Sequence, residues 1–463
     1  MRSIFLLIVV TFAGTGIVVA EHSPTAALHP SIASLELLTL SDGAVLDTGI
    51  WEQGGHAAPF YVDIDNDGDR DLVVGDYGGK FRIYENVGVD GSPSFAAASS
   101  PIKGRQGDAR VPIWCCMAAG GRFVDIDGDS VLDLSAGSYA PGAIYWFQGI
   151  GAGVFGERHM LLDGAGVPIF THPTDVYADE HQVSSRATSY ASNIAWVDWN
   201  DDGTLDLLIG SNSGELFVRL GVTEDNKPTR AEVPIESQPV FRRSHWQQRL
   251  NNGLYEIEID GEPAIPDGHA APTVADWDGD GLWDILLGSY SGAVYLLQNS
   301  GKPGAPLFKT REQILPAGVG LQWLENGESP VLGRRSQIHA IDYNLDGTMD
   351  LLIGYWSVSQ SPRQDLTEAE RLKLNTLLSE LRSLDIKAGF DFSEVRAKSA
   401  AYGLFRVDES EDKVRLNEKM SNLENRLQSY LKSHEWKLKD YTLRWPIRHH
   451  GHVWIALQAK NPK

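Results

Sequence analysis

DWDGDGLWD, residues 276–284, runs directly into the apolar stretch ILLG, residues 285–288, and the same phrase returns four more times along the chain. The other copies are DIDNDGDRD from Asp63, DIDGDSVLD from Asp125, DWNDDGTLD from Asp198 and DYNLDGTMD from Asp342. Oxygen-bearing side chains at positions 1, 3, 5 and 9 of a tight loop are the donor set of a hard cation. Ca²⁺ takes six to eight oxygens, and a Gly at position 6 lets such a loop turn sharply. The predicted metal-binding residues are therefore Asp63, Asp65, Asp67 and Asp71; Asp125, Asp127, Asp129 and Asp133; Asp198, Asn200, Asp202 and Asp206; Asp276, Asp278, Asp280 and Asp284; and Asp342, Asn344, Asp346 and Asp350. Up to five structural Ca²⁺ ions are expected.

These slots hold 18 carboxylates, a large share of the acidity behind a formal net charge of −22. The acidity thus reads as a metal signature. It excludes a nucleic-acid partner, which needs a basic footprint.

The loops start 62, 73, 78 and 66 residues apart, a spacing that suits propeller blades. Each is preceded by a small-residue strand such as HAAPFYV (56–62) or HAAPTVA (269–275). Each is followed by an apolar strand, a Gly turn and a third strand such as AVYLLQNSG (293–301). Four short antiparallel strands per unit, arranged radially, make a β-propeller.

The loops and their trailing strands resemble the FG-GAP/VCBS repeat family, whose best-known members are the calcium-binding blades of integrin α-subunits. The resemblance covers roughly 35–357 and the last strand. Position 12 holds Val74, Ala136, Ile209, Leu287 and Ile353 where an EF-hand requires a bidentate Glu, so an EF-hand is disfavoured. The expected fold is all-β, a propeller of about five four-stranded blades, with an α-helical hairpin inserted in the last. The N-terminal strand near Leu35–Leu40 is expected to close that blade from outside.

The insertion rests on residues 358–447. Thr367 and Glu370 form a capping box, and Leu374, Leu377, Leu381 and Leu384 follow at helical spacing. GHVWIALQ (451–458) then matches GAVYLLQN (292–299), so 448–460 is read as the strand that completes the last blade. Residues 1–20 carry one Arg and an apolar run ending at Ala20, the pattern of an export signal. Left uncleaved, that segment would be the sole membrane contact. The chain is expected to be periplasmic, cell-surface or extracellular.

In this family the Asp loops occupy one face of the disc, which directs the search for a ligand to the other. There the turn after each second strand carries Tyr77, Tyr139, Tyr290 or Trp356, with Asn212 in the third unit. Seven residues before the first Asp stand His56, His269 and Arg335, with Ala in the other two units. Cys115 and Cys116 enter the same face, and their adjacency admits a vicinal disulfide, two free thiols or an intermolecular bridge. Aromatic faces beside polar donors suit a glycan or a protein partner, although each aromatic could equally pack its own turn. His56, His269, His449, His450 and His452 could also converge on a transition metal. A propeller lyase or hydrolase acting on polysaccharide, with His or Arg on this face, is the alternative function. No nucleophile elbow, zincin motif, phosphate loop or dinucleotide fingerprint is present.

Overall fold

The computed structural model describes residues 28–50, 55–105, 107–113, 117–139, 142–162, 168–171, 192–221, 255–259, 261–319, 321–323, 330–360, 367, 369, 429 and 447–459. Five antiparallel blades are built from these residues, each with its Asp loop between the first and second strands. Blade 1 pairs Ala58–Val62, Asp71–Gly75, Phe81–Tyr84 and Ser100–Pro101. Blade 2 pairs Gly121–Val124, Asp133–Gly137, Ile144–Gly151 and Val154–Met160. Blade 3 pairs Asn193–Val197, Asp206–Gly210, Leu216–Arg219 and Tyr255–Glu256. Blade 4 pairs Ala271–Ala275, Asp284–Gly288, Val294–Leu297 and Glu312–Leu315.

Blade 5 takes strands from both ends of the chain. Arg334–Ile341, Asp350–Gln360 and Val453–Gln458 are joined by Ile32–Leu37, whose Leu37 lies opposite Trp454. The closing strand is thus the expected one, displaced three residues toward the N-terminus.

In four of the five blades the second strand is apolar at consecutive positions because it is covered on both sides, and blade 2 differs in the buried Ser135 between Leu134 and Ala136. In blade 1, Val73 packs into the core shared with blade 2, whereas Leu72 and Val74 pack into the core shared with blade 5. Five apolar clusters result, one between each pair of neighbouring blades. A strand buried on both faces reads as an unbroken hydrophobic run, which is what LVVG, LLIG and ILLG are.

The Gly that ends each second strand fixes how closely the blades approach. A Cβ on Gly75 would lie 1.7 Å from the carbonyl oxygen of Ala119 in the next blade. Gly137 meets Ser192 O at 1.9 Å, Gly210 meets Ala270 O at 2.1 Å and Gly288 meets Ser336 O at 2.2 Å. Gly354 of blade 5 meets Ala57 O of blade 1 at 2.1 Å, so the series closes on itself after five steps.

The boundaries of the excursion from blade 5 need correction. Instead of turning after Trp356, the second strand runs on to Gln360, and its Ser357–Gln360 segment pairs with Ile447–His450. Leu321–Trp323 adds a parallel strand to the same extension. Residues 358–360 and 447 are therefore strand, because the chain leaves and returns as a β-ribbon. The expected helical hairpin is not borne out: apart from Thr367, Ala369 and Ser429, residues 361–446 lie outside the described residues. So do residues 1–27, which include the expected export segment, and among the described residues no helix is long and apolar enough to cross a membrane.

Candidate functional site

Each Asp loop is held by its own backbone. Oδ2 of the first Asp accepts the N–H of position 6 in all five, from Gly68, Ser130, Gly203, Gly281 and Gly347. The fifth-position carboxylate accepts the N–H of position 7, from Asp69, Val131, Thr204, Leu282 and Thr348. This winding demands positive φ at positions 4 and 6 of every loop, including Asn66 (66°), Ser130 (68°), Asp201 (57°) and Leu345 (55°). In blade 1 this turns positions 1, 3 and 5, Asp63, Asp65 and Asp67, toward one another.

Position 9 has a second role. Asp133 Oδ2 accepts Ile126 N–H from its own loop at 2.9 Å, and Oδ1 accepts Gly149 N–H from the third strand at 2.6 Å. Asp206, Asp284 and Asp350 make the same pair of bonds, and Asp71 makes the one to the third strand, with Asn86. Each is buried. Burial, with the nearby loop carboxylates, raises Asp133 and Asp206 to about 7 and Asp71, Asp284 and Asp350 to about 6.

The donor set fits a hard cation. Carboxylate oxygens of Asp63, Asp65 and Asp67 lie within 4.8 Å of one another, as do those of Asp125, Asp127 and Asp133, and of Asp276, Asp278 and Asp284. In blade 3 the buried Asn200 Oδ1 accepts no hydrogen bond, although it stands in the third slot of its loop. An orphaned acceptor among carboxylates is the arrangement an ion would complete. Asp342, Asn344 and Asp346 form the corresponding group in blade 5, where Asp342 and Asn344 both accept Asp346 N–H.

On the ligand face the predicted residues separate into two groups. Arg335 lies between two rings, its guanidinium carbon 5.0 Å from the Tyr290 centroid and 5.2 Å from that of Trp356. All three are half-buried. Trp356 Nε1–H donates to His449 Nδ1 at 3.2 Å, which extends this cluster onto the returning ribbon. Tyr139 instead packs against the core between blades 1 and 2, and Tyr77 is half-buried on its turn. Cys115 and Cys116 lie outside the described residues.

His56 and His269 are not surface groups. They are 0 % and 1 % exposed, with ring centroids 6.3 Å apart. His56 Nε2–H donates to Arg335 O at 2.8 Å, leaving a buried Nδ1 without a partner. Burial pushes His56 down to about 3 and His269 well below its usual value.

They belong to a polar group that the sequence reading missed. Gln337 Nε2 donates to Asn193 Oδ1 at 2.9 Å and approaches His269 Nε2 at 3.1 Å. Arg122, 7 % exposed, donates to the carbonyls of Gly121, Pro272 and Ile338, and its carbon stands 5.7 Å over the Phe60 ring. Phe60 in turn stacks on His339 at 3.9 Å. All but His56 and His269, which stand two residues before their strands, come from the first strands of the blades. Counted back from the first Asp, His56, His269 and Arg335 occupy position −7, Asn193 and Gln337 position −5, and Phe60, Arg122 and His339 position −3. Side chains two apart share one face of a strand. Alternation between positions −5 and −3 would have found them, but it does not reach position −7, where His269 and Arg335 have left-handed φ of 59° and 54°.

The FG-GAP-like repeat family matches residues 276–353, from the Asp loop of blade 4 to the second strand of blade 5. No curated protein matches the chain. Among solved structures, BBS1N in complex with ARL6DN is 12 % identical over 67 % of this chain and 80 % of that one, with a TM-score of 0.30. The Myceliophteria thermophila Cps50 (Swd1) β-propeller domain is 12 % identical over 62 % and 66 %, with a TM-score of 0.26. A PQQ-bound aldose sugar dehydrogenase from Streptomyces coelicolor is 12 % identical over 71 % and 93 %, with a TM-score of 0.29.

Proposed function

We propose that this chain, a five-bladed propeller carrying FG-GAP-like repeat sequence, is an exported, calcium-stabilised binding module whose ligand is a glycan. The observation that carries the ligand reading is the Tyr290–Arg335–Trp356 stack. Two ring faces held apart by a guanidinium offer apolar surface for a sugar's C–H face, with hydrogen-bond donors at its edge. Trp356 is oriented by its bond to His449 and Arg335 by both rings, so little side-chain freedom is lost on binding. The guanidinium favours a sugar bearing a carboxylate or sulfate.

Calcium's part in this reading is structural. Residues at positions 1, 3 and 5 would hold the ion, with the buried position 9 carboxylate beside them. Bound Ca²⁺ supplies the positive charge that clustered carboxylates otherwise lack. It does so far from the stack, by fixing the connection between the first two strands of each blade. Calcium concentrations outside cells suit weak loop sites of this kind.

A glycan array containing neutral and acidic oligosaccharides tests the ligand. Acidic glycans should be retained by the native chain and lost in Arg335→Ala and Trp356→Ala, with unchanged retention overturning the reading. Thermal unfolding in excess EGTA tests the metal, with a fall in Tm expected and an unchanged Tm excluding a structural ion.

A further inference from the structure

A second donor group lies outside the Asp loops, where the first described segment meets the last strands. His450 and His452 alternate along the chain with Gly451 between them, and their rings stack at 5.3 Å with 10° between planes. Asp47 forms a bridge with His452 across the 405 residues that separate them in sequence. Its Oδ1 accepts the N–H of Gly49 at 2.8 Å and of Gly451 at 3.0 Å, which aims Oδ2 at the imidazoles. Oδ2 lies 2.6 Å from His450 Nδ1 and 4.0 Å from His452 Nε2. One donor atom from each residue falls within 4.8 Å of the other two.

We infer that Asp47, His450 and His452 form a site for a divalent transition metal, Zn²⁺ above all. Two imidazoles and one carboxylate make a nitrogen-rich set that suits Zn²⁺, Cu²⁺ or Fe²⁺ and disfavours Ca²⁺, which prefers oxygens. The side chains are 19 %, 14 % and 8 % exposed, so the ion is shielded yet leaves a fourth position for water or another ligand. Gly451 is required there, since its Cβ would come within 2.1 Å of Thr48 Oγ1. That close packing holds both imidazoles against Asp47.

The ion would clip the N-terminal segment to the strands that complete blade 5, next to the contact that closes the ring. This differs from the convergence of all five histidines expected on sequence grounds. His56 and His269 are buried, His269 beside Gln337, and His449 serves Trp356.

The test uses the full chain, stripped with chelator and returned to excess Ca²⁺ so that the Asp loops do not compete. Titration with ZnCl₂ by calorimetry should show one equivalent bound, with a rise in Tm, and His450→Gln/His452→Gln should weaken binding at least 100-fold. His159→Gln, on the outer strand of blade 2, should leave zinc binding unchanged. Zinc uptake equal in the native chain and the double variant, or none in the native chain, overturns the inference. Should the double variant fail to fold, Co²⁺ absorption by the native chain decides. Ligand-field bands of a nitrogen-bound, low-coordinate ion support the site, and the spectrum of hexa-aquo cobalt excludes it. Failure here would leave the glycan reading untouched, because neither Asp47 nor the two histidines form the Tyr290–Arg335–Trp356 stack.

Discussion

The Asp284 carboxylate accepts the backbone N–H of Asn299 at 2.7 Å through Oδ1, while its Oδ2 accepts Trp277 N–H at 3.0 Å. One side chain therefore ties the loop, the second strand and the end of the third strand together. Exchange of this carboxylate for an amide would set an NH₂ donor against a buried N–H. Asp284→Asn should cost about 2–4 kcal/mol. Because the bonds involve no ion, most of that loss should persist in EGTA, whereas Asp280→Asn should cost little once calcium is removed. Urea unfolding of both variants with and without calcium checks this, and equal losses in EGTA would argue against the latch.

Blade 2 places Ser130 where the other four loops have Gly, at a φ of 68°. A left-handed non-Gly residue carries roughly 1–2 kcal/mol of strain, partly offset because Gly is freer in the unfolded chain. Ser130→Gly should stabilise by about 0.5–1 kcal/mol, since the exposed side chain lies outside the core and the Ser130 N–H bond to Asp125 survives. Chemical denaturation reads the change, and a loss of stability would mean the hydroxyl does more than the backbone demands.

The loops and glycines were legible in the sequence because both are short-range demands that every blade repeats. A cation needs carboxylates at fixed spacing, and blade contact needs a missing Cβ at one position, as at Gly75 and Gly288. The buried polar group around Gln337 and Arg122 was not legible by repetition, because position −5 is Ala58, Gly120, Asn193, Ala271 and Gln337 in turn. Different blades contribute different chemistry to one place, so only the alternation of the strand betrays it. Asp47 was hidden for another reason: its partners His450 and His452 meet it only once the ring is closed.

Stability should fall in mild acid when calcium is saturating. His56 and His339 are held neutral by burial, with values near 3, and His269 lies well below its usual value. Each gains a proton near pH 6.5 when unfolded but resists it when folded, so the unfolded chain binds more protons between pH 6.5 and about 3. Stability from these groups is complete above pH 6.5 and is lost on acidification, by up to about 1.4 kcal/mol per pH unit per histidine. The raised position 9 carboxylates act in the opposite sense in metal-free chain, where stability is lost as pH rises through 6–7. EGTA should therefore flatten the profile between pH 7.5 and 5. Urea midpoints across that range check both limbs, and His56→Gln should reduce the slope in calcium.

Closure of the ring can be tested at a single atom. Gly354 and Ala57 come from the last and first blades, and a methyl on Gly354 would sit 2.1 Å from Ala57 O and 2.6 Å from Pro59 Cδ. Neither neighbour can retreat, since Ala57 N–H donates to Tyr355 O at 3.3 Å and both blades pack on one core with Leu352, Val453 and Val74 at 0 % exposure. Gly354→Ala should cost more than about 3 kcal/mol, in line with forced overpacking and the loss of blade contact. Gly68→Ala supplies the control, because a methyl there would meet nothing within 4 Å and its φ of 104° alone opposes the change. That control should lose about 1–2 kcal/mol. Gly354 has no left-handed φ, so a loss in Gly354→Ala no larger than the control's would mean that the neighbours give way, and the closeness of blades 1 and 5 at this contact would not be what holds the ring shut.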